Sequence, residues 1–256
     1  MYRAKRRFGQ NFLHDDYIIG EIIRIIHPCA TDFIVEIGPG LAALTRPLLT
    51  YVNPLHVVEI DRDMIAYLKA QFGEQLIIHA ADALRFDYSF PNVAKIRIVG
   101  NLPYNISTPL LFHLAQFNNI VDMHFMLQKE VVERICAKPD THSYGRLTVM
   151  LQYRFDCCKM LDVAKECFQP MPQVESAIVR LVPKEKALWQ DIDEKKLNLV
   201  VTKAFSGRRK TISNSLKNLI SVATLQELGI DTKKRAENIT VAEYIALSQS
   251  IMAVNA

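Results

Sequence analysis

Phe33-Ile34-Val35-Glu36-Ile37, followed at once by Gly38-Pro39-Gly40-Leu41-Ala42-Ala43, is the stretch whose reading decides the fold. Its first five residues are mostly apolar and β-branched, and they read as a buried strand. Two glycines one residue apart permit a tight turn. The spacing of Leu41, Leu44, Leu48 and Leu49 then reads as a helix. Strand, glycine turn and helix make the nucleotide-binding unit of a doubly wound α/β sheet, with Ala43 in the third-glycine place. The glycines let backbone approach a ligand at a helix N-terminus. Glu36 stands two residues before the first glycine, where a carboxylate suits a ligand bearing an ammonium group better than a pyrophosphate.

Working outward, three further strand patterns end in polar residues. Leu55 to Ile60 carries Glu59, about 20 residues beyond the glycines and suited to the two hydroxyls of a ribose. Leu76 to Ala80 is followed by Asp82, a candidate acceptor for an adenine amino group. Ile96 to Gly100 runs into Asn101-Leu102-Pro103-Tyr104. There an amide, a proline carbonyl and an aromatic ring are equipped to hold a planar amine. The Asn101 side-chain oxygen and the Pro103 carbonyl can accept its two N–H groups, and the Tyr104 ring can stack on the base. Taken singly, each acid reads as a solvated loop carboxylate and Asn-x-Pro as a turn. Four polar strand ends in register have a common explanation, because ligands of open α/β sheets bind at that edge. Together they describe S-adenosylmethionine: amino acid, ribose and adenine, then the acceptor amine beside the methyl group.

That chemistry needs no general base before attack, since the amine N–H becomes acidic only as the new bond forms. Alignment and exclusion of water are the main demands, which fits a site without convergent histidines or paired carboxylates.

The 256 residues suffice for one domain of ordinary size with a small appendage. No apolar run reaches the ~18 residues of a membrane span, and the N-terminus is basic rather than signal-like, so a cytoplasmic protein is expected. Cys29, Cys136, Cys157, Cys158 and Cys167 include no C-x-x-C, and their odd number argues against a disulfide framework. The seven histidines show no pair at ligand spacing, so no metal is expected. The net charge of +4 is unevenly spread. Residues 1–7 carry +4 through Arg3, Lys5, Arg6 and Arg7, residues 184–256 another +4, and the body between is acidic at −4. Basic ends on an acidic body suit contact with a phosphate backbone. Within the second end, Lys233-Lys234-Arg235 reads equally as a solvated face. Arg208-Arg209-Lys210, after Phe205-Ser206-Gly207 and opening a helical pattern, reads as an RNA contact.

The architecture predicted is a Rossmann-like α/β domain over residues 1–183, a linker over 184–194 with the only tryptophan, Trp189, and a helical domain over 195–256. A helix over Tyr17 to Ile26 comes first. Strands and helices then alternate through Gln128, and late runs from Cys158 to Val163 and from Ser176 to Val182 complete seven strands. Helices are expected over Leu197 to Phe205, Thr211 to Ile220 and Val241 to Met252.

Glu36-Ile-Gly-Pro-Gly40, Asn101-Leu-Pro-Tyr-Asn-Ile-Ser107 and Phe8-Gly-Gln-Asn-Phe-Leu13 resemble the ribosomal RNA adenine N6,N6-dimethyltransferases, and within that family the bacterial KsgA (RsmA) branch. Met126 to Val131, Tyr144 to Leu147, Phe168 to Ser176 and Phe205 to Thr211 match as well, so the likeness runs from residue 6 to about 240. Ala42 departs from a third glycine, and the arm before Arg6 is short. The resemblance implies methyl transfer from S-adenosylmethionine to the N6 amines of two adjacent adenosines in the 3′-terminal hairpin of 16S rRNA, within a small-subunit particle and by a monomer. It implies catalytic roles for Asn101, Leu102, Pro103 and Tyr104, with Phe168 capping the second face of the base. Asn11 and Leu13 would join Glu36, Gly38, Gly40, Glu59, Asp82 and Asn101 around the cofactor. Arg6, Arg7, Arg134, Arg146, Arg208, Arg209 and Lys210 would contact RNA.

Three other readings stay open on residues alone. An NAD dehydrogenase explains Gly38-x-Gly40 and Glu59 but leaves Asn101 to Tyr104 idle. A DNA adenine methyltransferase shares the amine-holding motif. A non-enzymatic ribosome-assembly factor needs only the RNA contacts.

Overall fold

A computed structural model describes residues 11–103, 105–207 and 209–251. By their internal contacts the described residues divide into two compact units. One comprises those of Met1–Val132 with Cys158–Val182, the other those of Glu133–Cys157 with Pro183–Ala256.

The first unit is built on a seven-stranded sheet of β2 (Ile34–Ile37), β3 (Leu55–Glu59), β4 (Leu76–Ala80), β5 (Ile96–Asn101), β6 (Ile120–Gln128), β7 (Phe155–Val163) and β9 (Ser176–Pro183). Their order is β4-β3-β2-β5-β6-β9-β7. The first five are parallel, and β9 joins β6 antiparallel. The order reverses between β2 and β5, which is where a doubly wound sheet opens a crevice. The central strands are apolar on both faces, β2 being buried throughout, as a sheet covered on both sides requires. β1 (Phe12–Leu13) pairs with β8 (Phe168–Gln169) in a separate antiparallel ribbon, Leu13 opposite Phe168. That ribbon was not anticipated, since two residues per strand are too few to show a period.

α1 (Asp16–Ile26) is capped by Asp15, whose carboxylate accepts from the Ile18 N–H, so the helix begins one residue before the expected Tyr17. It buries Ile22, Ile23 and Ile26 in a core shared with Val57, Val99, Met126 and Ile178 of four strands. After the glycines, regular helix is limited to α2 (Thr45–Leu48). The leucines expected in one helix lie partly in the preceding turns. α3 (Arg62–Phe72) and α4 (Ser107–Leu114) are the other helices of this unit.

The second unit contains α6 (Arg146–Gln152), α7 (Glu194–Ala204), α8 (Ile212–Leu216), α9 (Val222–Glu227) and α10 (Val241–Gln249); α5 (Lys129–Ile135) runs across the boundary between the units. Three aromatic rings meet in this unit, the half-buried Phe205 tilted against Tyr144 and stacked on Tyr244 at centroid distances of 6.3 and 6.0 Å. Both tyrosine hydroxyls donate to backbone, to Ile239 and Ala236 respectively, so the burial leaves neither unsatisfied. The stretch expected as a linker is structured too. Trp189 donates its indole N–H to the Lys184 carbonyl, and the Arg154 guanidinium lies 3.9 Å from its ring. Residues 133–157, read from sequence with the sheet domain, are counted in this unit, the last three being the start of β7.

Candidate active site

The carboxyl ends of β2, β3, β4 and β5 surround a cavity of about 240 Å³. Glu36, Gly38, Gly40, Glu59, Asp82, Asn101, Leu102 and Pro103 line it, as do Asn11 and Leu13 from the N-terminal strand. Parallel pairing explains the convergence. Neighbouring strands end level with one another, and each continues into a loop that bends over the same edge. Tyr104, Arg6, Arg7 and Arg208 lie outside the described residues.

Both loop glycines adopt positive φ, 66° at Gly38 and 52° at Gly40. A side chain at Gly40 would also come within 3.0 Å of the Phe12 ring, so the loop and β1 close together over the cavity. Ala42 has φ of 70° and is fully buried. It therefore occupies a left-handed position that glycine fills more easily, which gives the departure at that position a physical meaning.

Glu36 is almost wholly buried, and its Oε2 accepts from the Thr45 hydroxyl at 2.7 Å. Its pKa is pushed up to about 7, chiefly by burial and further by nearby Glu59, while the Thr45 hydroxyl works the other way. Glu59 is 8 % exposed, and its Oε1 accepts from the N–H groups of Ile60 (2.9 Å) and Asp61 (2.8 Å). Burial raises its pKa also, against those two N–H groups and that of Gly40. Among the described residues no Lys or Arg pairs with either acid. Two buried carboxylates facing one cavity without a cation make a site that favours a cationic guest. Asp82 accepts from the Leu84 N–H at 3.0 Å, which anchors it at the cavity wall. The residues present thus fit S-adenosylmethionine: an acid for the ammonium group, one for the ribose and one for the adenine amine.

Asn101 donates its side-chain N–H to the Asn11 carbonyl at 3.0 Å. This orients the amide, leaving its oxygen as the end that can accept. The Pro103 carbonyl accepts from the Ile106 N–H at 3.2 Å, which uses one of its two lone pairs. Leu102 is buried and donates its N–H to Met126, tying the loop to β6.

Phe168 is placed differently from the expectation. It is 2 % exposed, packs in the core with Leu13, Val163 and Ile178, and does not line the cavity. A ring covered on both faces has none to offer a base. In this structure it anchors the ribbon that carries Asn11 to Leu13. Arg134 and Arg146 are exposed, and Arg146 donates to the Asn198 side chain at 2.9 and 3.2 Å. Arg209 and Lys210 are exposed on the turn between α7 and α8, not within a helix.

The sequence reading passed over Thr45 and Gly100. Thr45 lies nine residues beyond Glu36 and its contact depends on the loop's path. At Gly100 a Cβ would come 2.5 Å from the Ile37 carbonyl, so only glycine lets β5 run this close to β2. No group of three or more His, Cys, Asp or Glu able to hold a metal occurs among the described residues, and no helix there is long and apolar enough to cross a membrane.

The sequence pattern of ribosomal RNA adenine dimethylases matches residues 1–253. The ribosomal RNA small subunit methyltransferase A of Herminiimonas arsenicoxydans is 54% identical over 252 residues, 96% of this chain and 98% of that protein. Its namesake in Chromobacterium violaceum is 52% identical over 249 residues, 96% of this chain and 95% of that protein. A dimethyladenosine transferase structure from Plasmodium falciparum superposes with a TM-score of 0.80 at 26% identity, covering 92% of this chain and 95% of that one. The 23S rRNA methyltransferase ErmE shares the fold, with a TM-score of 0.74 at 24% identity over 94% of this chain and 99% of its own. With its glycine loop, its strand-end acids and Asn101 around one cavity, the chain belongs to the ribosomal RNA adenine dimethylase family.

Proposed function

We propose that this enzyme dimethylates the N6 amines of two adjacent adenosines in the 3′-terminal hairpin of 16S rRNA, using S-adenosylmethionine. Its substrate in this reading is a small-subunit particle in the cytoplasm, met by a monomer. Family membership supports rRNA adenine dimethylation, and relatives more than 50% identical carry the name small subunit methyltransferase. The observation that carries the site assignment is the orientation of Asn101 at the rim of a cavity that also holds Glu36, Glu59 and Asp82.

When bound, the cofactor's sulfonium supplies an activated methyl group with a good leaving group. The chain has to hold and align. Glu36 accepts from the ammonium group, Glu59 from the ribose hydroxyls and Asp82 from the adenine amine. The Asn101 oxygen and the open lone pair of the Pro103 carbonyl accept the two N–H groups of the target amine, so that its nitrogen lone pair faces the methyl carbon. Leu102 and Ile106 add apolar wall that excludes water. The proton lost after attack passes to solvent, since none of these groups is needed as a base beforehand. Tyr104 stacks on the target base. The helical segment 195–256 serves as the RNA-binding domain, where Arg208, Arg209 and Lys210, with Arg134, Arg146, Arg6 and Arg7, contact phosphates.

Asn101→Ala tests the central step. The expected result is a fall in kcat on the order of 10²–10³ with RNA affinity little changed, as for loss of one preorganised contact. Wild-type turnover with both substrates saturating would make Asn101 a turn residue. Mass spectrometry of small-subunit rRNA adenosines, with and without the protein, identifies the product and its positions.

A further inference from the structure

Thr45 touches no part of the cavity, yet its hydroxyl is the one side-chain donor that the described residues offer to Glu36. It sits at the first residue of α2, fully buried, with Oγ1 2.7 Å from Glu36 Oε2. Neighbouring residues of the same turn, Ala43 and Leu44, do reach the cavity wall.

We infer that Thr45 is a positioning residue for cofactor recognition: its hydroxyl holds one oxygen of Glu36, so that the other faces the cavity as an ionised acceptor for the amino-acid end of the cofactor. A hydroxyl has one proton to donate. Donating it to Glu36 favours the carboxylate over the protonated acid, because protonation at Oε2 would set two donors against each other. The same bond fixes the rotation of the carboxyl group, which a fully buried site cannot leave to water. Removing the hydroxyl leaves a buried carboxylate with neither a cation nor a side-chain donor among the described residues, and such a group takes up a proton instead. This inference rests on the proposal that Glu36 accepts from the ammonium group.

The test uses two probes that differ only at that end of the molecule. S-adenosylhomocysteine carries the amino-acid group and 5′-methylthioadenosine lacks it. Titration calorimetry on the full chain is run for the wild type, Thr45→Val, Thr45→Ser and Glu36→Gln. Thr45→Val is expected to weaken S-adenosylhomocysteine about tenfold, in line with the loss of one charge-assisted hydrogen bond. It should leave 5′-methylthioadenosine within twofold, which also shows that the variant is folded. The acid limb of S-adenosylhomocysteine binding should move to higher pH in Thr45→Val and return in Thr45→Ser. Equal weakening of both probes would reduce Thr45 to a structural hydroxyl and overturn the inference, and so would unchanged binding of both. Unchanged S-adenosylhomocysteine binding in Glu36→Gln would instead overturn the assignment of Glu36, whatever Thr45 does.

Discussion

The two ends of one sheet treat their carboxylates in opposite ways. At the amino end, Arg97 of β5 holds Asp122 through two bonds of 2.9 Å and Asp32 through one of 2.6 Å, and also donates to the carbonyls of Ile26 and His27. Burial alone would raise the Asp32 pKa, but the Cys29 N–H and the Arg97 guanidinium hold it below the ordinary value. At the carboxyl end, Glu36 and Glu59 are buried more deeply than Asp32, no Lys or Arg among the described residues pairs with them, and both are pushed up. A buried acid with a built-in partner serves the fold, whereas one without waits for a guest. Both kinds lie in or next to strands in the sequence, and only their surroundings tell them apart.

Breaking the amino end should have the largest effect. Arg97→Met removes three charged bonds from Asp122 and Asp32, at 8 % and 17 % side-chain exposure, and leaves Asp122 with Arg180 at 3.9 Å and Asp32 with the Cys29 N–H, at a cost of about 3 kcal/mol in urea denaturation at pH 7. Because the folded-state pKa of Asp32 is depressed, its stabilisation is present above the unfolded value and lost as pH falls through the folded one. That acid-side loss should shrink in the variant. Cofactor affinity of the folded fraction should not change, and if it did, the two ends would not be independent.

Breaking the carboxyl end should cost binding more than folding, although Glu59 also accepts from the Ile60 and Asp61 N–H groups. If Glu59 accepts from the two ribose hydroxyls as proposed, calorimetry on Glu59→Ala should show S-adenosylmethionine binding weaker by ~2–4 kcal/mol. Unchanged affinity in a folded variant would remove Glu59 from the site.

The comparison sharpens at Glu36. Its folded pKa of about 7 lies above the unfolded value of 4.5. Between those two values the unfolded chain gives up the proton while the folded one keeps it, so stability falls as pH rises and levels off above about 7. Glu36→Gln removes that fall and should stabilise the ligand-free protein at pH 8 by about 1–3 kcal/mol while weakening the cofactor. A variant less stable than the wild type at pH 8 would show that the carboxylate is paired after all.

The smallest effect belongs to Ala42. Relief of a left-handed backbone, about 1–2 kcal/mol, is offset in Ala42→Gly by a lost buried methyl of about 0.8 and by about 0.4–1 of unfolded-state entropy. Thermal unfolding should therefore shift by no more than about 1 kcal/mol. A larger loss would mean that the methyl, not the turn, matters at this position.

Much of the site was legible because its parts are local. A strand carrying Glu36 near its end, the φ demand at Gly38 and Gly40, and the tetrapeptide from Asn101 each announce themselves within a few residues. Phe168 was not, since Phe-x-Pro-x-Pro does not reveal which wall its ring faces. Its pairing with Leu13 spans more than 150 residues and turns it into the core. The basic cluster at Arg209 and Lys210 was recognisable as charge, but its place on a turn followed from where α7 stops and α8 begins.

By itself the sequence determined the alternation of strands and helices, the seven-stranded sheet and the edge where polar residues gather, because periodicity and turn chemistry act over a few residues. Only the tertiary structure decided which acids are neutralised and which face a cavity, that Thr45 reaches Glu36, and that the Asn11 carbonyl orients Asn101. Burial, and with it the energy of a charge or a hydrogen bond, depends on what distant segments bring alongside.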